Sequence, residues 1–332
     1  MAPDKFSLIF LSNRRSDLDF DLPAAFEQAF REVGADVEVV RIPSFAMSSL
    51  TRRRLQNLKK IIKEKSRTRR VVFHPDITEL FLQEADYMVL FSAYRTWYRQ
   101  EAMRVIPHLR TPIPIPRDID HLTWNDKPPL RVGFMGRSHS ASRLANYLLR
   151  SPKWIKELCL RGSYHKYPML LAAMNELKIP LANINAFART ETLNLLKAEK
   201  HNYPQIALEL VERNFSGSEA ERNEYSRHLA RNTYIICPRG GENFSFRIYE
   251  CLNAGRIPVI IDTNVVLPQE INWQKVSVVV PYESLDRLYE IILNHYETQS
   301  PRDFIERQRE AFSTMNVLHN LHWIKDFVTQ LL

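Results

Sequence analysis

The sequence predicts an α/β protein of two doubly wound, Rossmann-like domains facing a central cleft. Three observations carry this. Strand-like and helix-like segments alternate from the first residues onward, a proline-rich stretch interrupts them once, and the alternation then restarts. Short apolar runs alternating with amphipathic segments imply right-handed crossovers and parallel sheets covered on both faces.

In the first half, residues 6–12 read as a strand, 22–33 as a helix ending at Gly34, 37–41 as a strand and 50–65 as a helix. A strand at 70–73, a helix at 77–84 and a strand at 87–91 follow. Between residues 111 and 129, Pro112, Pro114, Pro116, Pro128 and Pro129 interrupt the pattern. Proline repeated this closely removes ladder donors and favours extended chain, so a domain boundary belongs here. Beyond it, a strand at 131–135 is closed by Gly136, and helices are expected at 142–149, 169–175 and 218–231. Then come a strand at 233–237, a helix at 246–254, strands at 257–261 and 276–280, and helices to the end. The predicted domains are residues 1–125 and 126–310, with a helix in 311–332 returning toward the first.

A chain of 332 residues has the length of two ordinary domains. Hydrophobic residues at 45% and charged residues at 25% exclude global disorder and a fibrous chain. The longest apolar runs fall far short of the roughly 20 residues a bilayer span needs. The first residues resemble no secretory leader. Three cysteines, Cys159, Cys237 and Cys251, include no Cys-x-x-Cys pair, which argues against a disulfide framework and a cysteine-built zinc site. A cytoplasmic protein is expected.

The net charge is +8, and residues 51–70 hold ten Lys or Arg against one Glu, so the rest of the chain sums to −1. A protein near neutrality with one positive strip is not a nonspecific nucleic-acid coat, and nucleic acid is not expected as a partner. Leu55, Leu58 and Ile62 give the strip a narrow apolar face opposite a broad cationic one carrying Arg52, Arg53, Arg54, Lys59 and Lys63. That face is either an ordinary solvated surface or a surface for a polyanionic acceptor or anionic headgroups, with peripheral association at a membrane.

Residues 233–273 carry the chemistry, in the layout strand, glycine turn, helix, strand, turn. In open α/β folds ligands collect at the carboxyl edge of the sheet, where this helix begins. Gly240 lets backbone approach a ligand closely. Ser245 is expected as N-cap, leaving the first-turn amides as an anion site. Arg247 in that turn opposes the helix dipole, a conflict that an external anion resolves. Glu250, three residues on, projects from the same face, placed to hold the hydroxyls of a ribose. The alternative is that Arg247 and Glu250 pair with each other. Cys251 and Leu252 point to the core, and Gly255 ends the helix.

The combination Cys237-Pro238-Arg239-Gly240, Ser245-x-Arg247-x-x-Glu250, Gly255-Arg256-Ile257-Pro258-Val259-Ile260, Leu267-Pro268 and Asn272-Trp273 resembles the C-terminal signature of the exostosin family of glycosyltransferases. The resemblance covers residues 225–280 and, more loosely, the strand at 131–136. It implies a GT-B fold with the nucleotide sugar on the second domain and the acceptor on the first. It further implies inverting transfer, most often from a uridine diphosphate sugar, to a glycan or lipid-linked glycan, as in polysaccharide biosynthesis. Arg239 and Arg247 would face the diphosphate, Ser245 would cap the helix and Glu250 would take the ribose. The chain lacks the membrane anchor of the family's Golgi members, which favours a bacterial type.

Two arginines and a helix terminus supply stabilisation of the departing diphosphate without a cofactor, and no divalent metal is expected. Candidate bases for the acceptor hydroxyl are Asp17, in the loop after the first strand, and His74, after the third. The Asp17-Leu18-Asp19-Phe20-Asp21 run also imitates a metal motif, or supplies helix N-terminal charge; His74-Pro75-Asp76 can equally be a turn. Arg137 and His139 follow Gly136 at the cleft mouth. His228 and Trp273 are read as structural. The competing readings are a noncatalytic binder of nucleic acid or anionic membrane, and a GT-B enzyme using a guanosine or cytidine nucleotide sugar.

Overall fold

The computed structural model describes residues 5–12, 22–43, 52–65, 68–74, 85–107, 109, 123–137, 143–160, 187–214, 217–240 and 243–332. The expected helices at 77–84 and 169–175 lie outside these.

The first sheet is built from β1 (Lys5–Ser12), β2 (Asp36–Pro43), β3 (Arg69–His74), β4 (Tyr87–Leu90) and β5 (Met103–Val105) in the order β2-β1-β3-β4-β5, all parallel. The second comprises β6 (Arg131–Gly136), β7 (Ala207–Glu212), β8 (Tyr234–Cys237), β9 (Ile257–Asp262) and β10 (Val278–Pro281) in the order β10-β9-β8-β6-β7, again all parallel. Counted within its own half, each sheet therefore has the same order, with the second strand at one edge and the first beside the third. The expected architecture is present: two doubly wound domains, the GT-B arrangement. The two central strands β6 and β8 are near-continuous apolar runs because both their faces are covered, as parallel strands require.

Helices α1 (Leu22–Glu32) and α2 (Arg52–Glu64) cover opposite faces of the first sheet. Phe26 and Phe30 of α1 share a core with Phe6, Leu8 and Phe10, whereas Leu58 and Ile62 of α2 share the other with Ile9, Leu11 and Val72. This division follows from the alternation of side chains along β1. At the end of α1, Gly34 takes φ +86°, and its chain neighbour Ala35 donates to Phe30 O at 3.1 Å, a left-handed close of the kind glycine favours.

The second sheet is accompanied by α3 (Arg143–Leu149), α4 (Lys153–Leu160), α5 (Phe187–Glu199), α6 (Glu219–Arg231), α7 (Arg247–Asn253), α8 (Trp273–Val276) and α9 (Leu288–Thr298). Helix α10 (Pro301–His319) starts with a capping box between Ser300 and Asp303 and packs against α7. A left-handed residue, Leu321 (φ +56°), then turns the chain into α11 (His322–Leu331). That helix lies on α1, where Phe26 meets Trp323 and Phe327 edge-on at 6.2 and 5.6 Å. Burial of such aromatic pairs contributes a few kcal/mol each way of the crossing, about 0.5–1.5 of it from ring geometry.

The carboxyl edges of the two sheets meet. After β4, the residues Ser92, Ala93 and Tyr94 dock on the second domain: Asn243 donates its backbone N–H to Ser92 Oγ and its side-chain amide to Ala93 O, both at 3.2 Å. Tyr94 bridges Val265, and Arg95 pairs with Asp262 at the end of β9 at 2.9 Å. Arg104 of β5 reaches Glu270 at 2.8 Å, a pair largely out of solvent. No described helix is long and apolar enough to cross a membrane.

Candidate functional site

In a doubly wound sheet the crevice lies at the carboxyl ends of the strands where the order reverses. In the second domain that point falls between β6 and β8. Gly136 and Arg137 leave β6, and Pro238, Arg239 and Gly240 leave β8. The sequence-predicted residues collect there, with one arginine not expected.

Arg247, in the first turn of α7, donates from Nη2 to Met135 O at 2.9 Å and lies over the Phe134 ring at 4.4 Å. Its Nε is buried without a partner. The seat exists because residue 136 is glycine: a Cβ there would stand 2.5 Å from Arg247 Nη2, and the backbone sits at φ +149°. Arg137 donates from Nε to Asn214 at 2.8 Å and is exposed.

Arg239 is only 2% exposed. Its Nη2 donates to the hydroxyl of Tyr94 at 2.5 Å and its guanidinium lies 5.1 Å above that ring, so an arginine of one domain is seated on an aromatic of the other. Among the described residues Nε and Nη1 have no hydrogen-bond partner. Burying N–H groups of a cation unsatisfied is costly, and such groups call for an explanation. After Arg239, Gly240 N–H closes on Phe244 O at 2.9 Å.

The unexpected arginine is Arg189 on α5. It donates from Nη1 to Arg137 O at 3.1 Å and from Nε to Arg239 O at 3.2 Å, bridging the residues that leave the two strands. Burial, and then the like charges of Arg247 and Arg137, bring its pKa down to about 10. Among the described residues none of these four arginines pairs with a carboxylate. Positive charge held on main-chain carbonyls and aromatic faces, with no carboxylate paired to it, is chemically able to receive an anion.

Among the described residues Glu250 pairs with neither Arg247 nor any other cation. Its Oε2 accepts the hydroxyl of Tyr225, on α6, at 2.6 Å. Tyr225 is buried, and that burial and the neighbouring carboxylate hold its pKa well above the ordinary value, so it remains a donor. The alternative reading of an Arg247–Glu250 pair is thereby removed.

The expectation for Ser245 is corrected. Helix α7 begins at Arg247 with Phe246 at the cap, and no side chain caps it. Phe246 already has helical angles (φ −56°, ψ −30°), so the entry is a turn in which Ser245 contributes its carbonyl to Ile248 N–H at 3.1 Å. Ser245 is buried at the base of the loop. Gly255 does end α7, at φ +64°, with Arg256 N–H closing on Cys251 O at 2.9 Å. Cys237 and Cys251 are buried and burial raises both thiols, leaving them as core residues.

His228 is fully buried on α6, and its Nδ1 stands 3.4 Å from Glu209, a contact too poorly directed to count as a hydrogen bond. With Asn232 and Arg231 it holds Glu209 down to about 2, away from the arginine cluster. Trp273 donates to Pro268 O at 2.7 Å within its own turn.

In the first domain the same reversal lies between β1 and β3. His74 is the last residue of β3, in register with Leu90. Asp17 and His139 lie outside the described residues. On α2, Arg53 and Lys63 are exposed and Lys59 is half-buried; the side chains of Arg52 and Arg54 lie outside the description. No three His, Cys, Asp or Glu side chains among the described residues come together as a metal cluster.

The molecule is thus a two-domain GT-B protein with a cationic crevice at the switch point of its second sheet. Residues 183–294 match the Exostosin GT47 domain, so the resemblance read from residues 225–280 is borne out and extends to either side. The chain is similar to "Probable glycosyltransferase At3g07620" of Arabidopsis thaliana, 34% identical over 73 residues, 21% of this chain and 16% of that one. It is also similar to "Exostosin-1 homolog" of Caenorhabditis elegans, 28% identical over 116 residues, 34% and 30% of the two chains. These matches span less than a third of either relative. A solved structure of Anabaena Alr3699/HepE in complex with UDP-glucose aligns over 98% of both chains at 13% identity, with a TM-score of 0.38.

Proposed function

We propose that this chain is a glycosyltransferase that moves a sugar from a nucleotide-sugar donor, a uridine diphosphate sugar foremost, to a hydroxyl of a glycan or lipid-linked glycan, with inversion. The observation that carries this is Arg239: a nearly fully buried cation with two unpartnered N–H groups, set between the domains beside Arg247 and Arg137. The exostosin match, which covers Arg239 and Arg247, supports the same reading.

On this reading the diphosphate lies at the ends of β6 and β8 against Arg137, Arg239 and Arg247, with Gly240 and Ser245 shaping the loop beneath it. The ribose hydroxyls reach the Glu250 oxygen that Tyr225 leaves open. Attack by the acceptor oxygen forms the new bond at the anomeric carbon while the bond to the phosphate oxygen breaks. The negative charge that develops there meets preorganised guanidinium groups, each contributing on the order of 2–4 kcal/mol to the barrier. The acceptor proton passes to a base of the first domain, His74 or Asp17, worth roughly 10²–10⁴ in rate. The residues present supply this stabilisation themselves, so no metal or cofactor is invoked.

Helix α2 buries Leu58 and Ile62 in the domain core and leaves Arg53, Lys60 and Lys63 exposed. We assign that surface, Arg53 and Lys63 included, to an anionic acceptor or the anionic membrane face that presents it. The test of the function is a thermal-shift screen over uridine, guanosine and cytidine nucleotides and their sugars, followed by turnover with the nucleotide sugar that shifts. A ligand at 100 times its dissociation constant adds about 2.7 kcal/mol to the native state. Binding of anionic vesicles or RNA with every nucleotide sugar inert would replace the transferase by a noncatalytic polyanion binder.

A further inference from the structure

We propose that Arg189 is a positioning residue for the donor diphosphate: it clips together the chain segments leaving β6 and β8, and so sets the gap that the phosphates must span. The proposal rests on the donor reading above. Arg189 lies on α5, outside the motif read from the sequence though within the residues that match the Exostosin GT47 domain.

Three observations converge on this residue. First, a planar guanidinium presents several N–H groups in a fixed fork. Here Nη1 takes Arg137 O and Nε takes Arg239 O, one acceptor from each side of the switch point. Both acceptors belong to arginines assigned to the diphosphate, so displacing either backbone displaces its side chain. Second, Nη2 lies where a Cβ on Gly240 would be 3.4 Å away. Gly240 therefore faces the clip, and the fork lies against the loop that leaves β8. Third, the charge of Arg189 adds to those of Arg247 and Arg137 although no carboxylate among the described residues pairs with it, and the fold meets this cost in burial and repulsion. A residue serving only to join two loops could be a neutral donor. The retained charge has a use when a polyanion lies between the strands.

The experiment measures affinities of wild type, Arg189→Met and Arg189→Lys for three probes: inorganic pyrophosphate, UDP and uridine. Circular dichroism melts verify that each variant is folded. In R189M, pyrophosphate and UDP are expected to bind at least about tenfold more weakly while uridine is unchanged. In R189K the charge remains but one ammonium on a flexible stem cannot hold both carbonyls in the same plane, so binding stays several-fold below wild type. Unchanged pyrophosphate binding in R189M, or equal losses for uridine and pyrophosphate, overturns the proposal; full recovery in R189K overturns the clip. Should R189M fail to fold, the R189K comparison decides. Wild type that binds pyrophosphate but neither UDP nor any nucleotide sugar ends the transferase reading while leaving Arg189 to be judged on pyrophosphate alone. Wild type that binds none of the probes overturns both.

Discussion

Removing a single oxygen, in Tyr225→Phe, tests how the ribose would be held. The Tyr225 hydroxyl donates to Glu250 Oε2 at 2.6 Å from a buried position, and the carboxylate has no second partner among the described residues. A hydrogen bond to a charged group is worth about 1.5–3 kcal/mol. Phenylalanine fills the same space, so no cavity is created and the loss falls on the carboxylate. Part of it appears as stability, about 1 kcal/mol, because the half-buried Glu250 regains only some water. The remainder appears as orientation: an unfixed carboxylate must be ordered by the nucleotide itself. We expect the affinity for UDP to drop about tenfold, equivalent to about 1.4 kcal/mol. By contrast, 2′-deoxyuridine diphosphate, which engages Glu250 with one hydroxyl fewer, should lose much less, so the preference for ribose collapses. Isothermal titration of both nucleotides against both proteins measures this directly. Equal losses for the two nucleotides, or no loss for either, would refute the placement of the ribose at Glu250.

Arg247→Ala and Glu250→Ala should retain the fold and lose nucleotide-sugar turnover, Arg247→Ala by roughly 30- to 1000-fold for a removed charge-assisted donor; steady-state rates at saturating donor give the answer, and wild-type rates in both would end the assignment. His295, whose pKa burial and then Arg307 bring down from its ordinary value to about 4, bonds Tyr234 at 2.8 Å. Its depressed pKa contributes stability that is present above about 6.5 and lost as the pH falls toward 4, up to about 3 kcal/mol before solvent screening. Urea midpoints across that window should fall steeply in wild type and less in His295→Asn. Gly255→Ala should cost about 2–4 kcal/mol, since φ is +64° and the new Cβ would stand 2.5 Å from Phe312 Cζ, and a chemical-denaturation curve reports it.

The order of elements is legible because parallel strands buried on both faces write themselves as apolar runs. β6, β8 and β9 begin within a residue or two of where the sequence places them. β7 escapes, because Ala207–Glu212 alternates leucine and valine with glutamate and sits at the sheet edge, half-exposed along its length. β5 escapes because three residues at the other sheet's edge carry too little pattern. Helix α5 escapes for a related reason: Phe187–Glu199 spreads its apolar residues around the helix instead of stacking them in one stripe, so the 3.6-residue period is faint. Arg189 was lost with it.

The site divides along the same line. Arg247 and Glu250 can be found from sequence because both lie on one short helix, where spacing fixes which face they share. What each of them touches cannot, because the partners come from elsewhere: Met135 from β6, Tyr225 from α6. The pairing of Arg239 with Tyr94 spans 145 positions and depends on two sheets meeting at their carboxyl edges.

That meeting explains why the two halves repeat one topology. Each sheet reverses its strand order between its first and third strands, and each reversal opens a crevice at the carboxyl ends. Where the edges come together, Tyr94 and Arg95 of the first domain meet Arg239 and Asp262 of the second, and the two crevices differ in chemistry. The second sheet's is lined by guanidinium groups that pair with no carboxylate among the described residues, with Glu250 held apart on Tyr225. The first sheet's opens at the end of β3, which closes on His74. A base placed among four arginines would be held protonated less readily and would be a poorer acceptor, since nearby positive charge favours the deprotonated form and lowers its pKa. Separating the groups on two sheets lets each keep the pKa its task needs. Tyr94, reaching from the first domain to seat Arg239, ties the two together: the orientation of a cation in the second crevice is set by a side chain of the first domain.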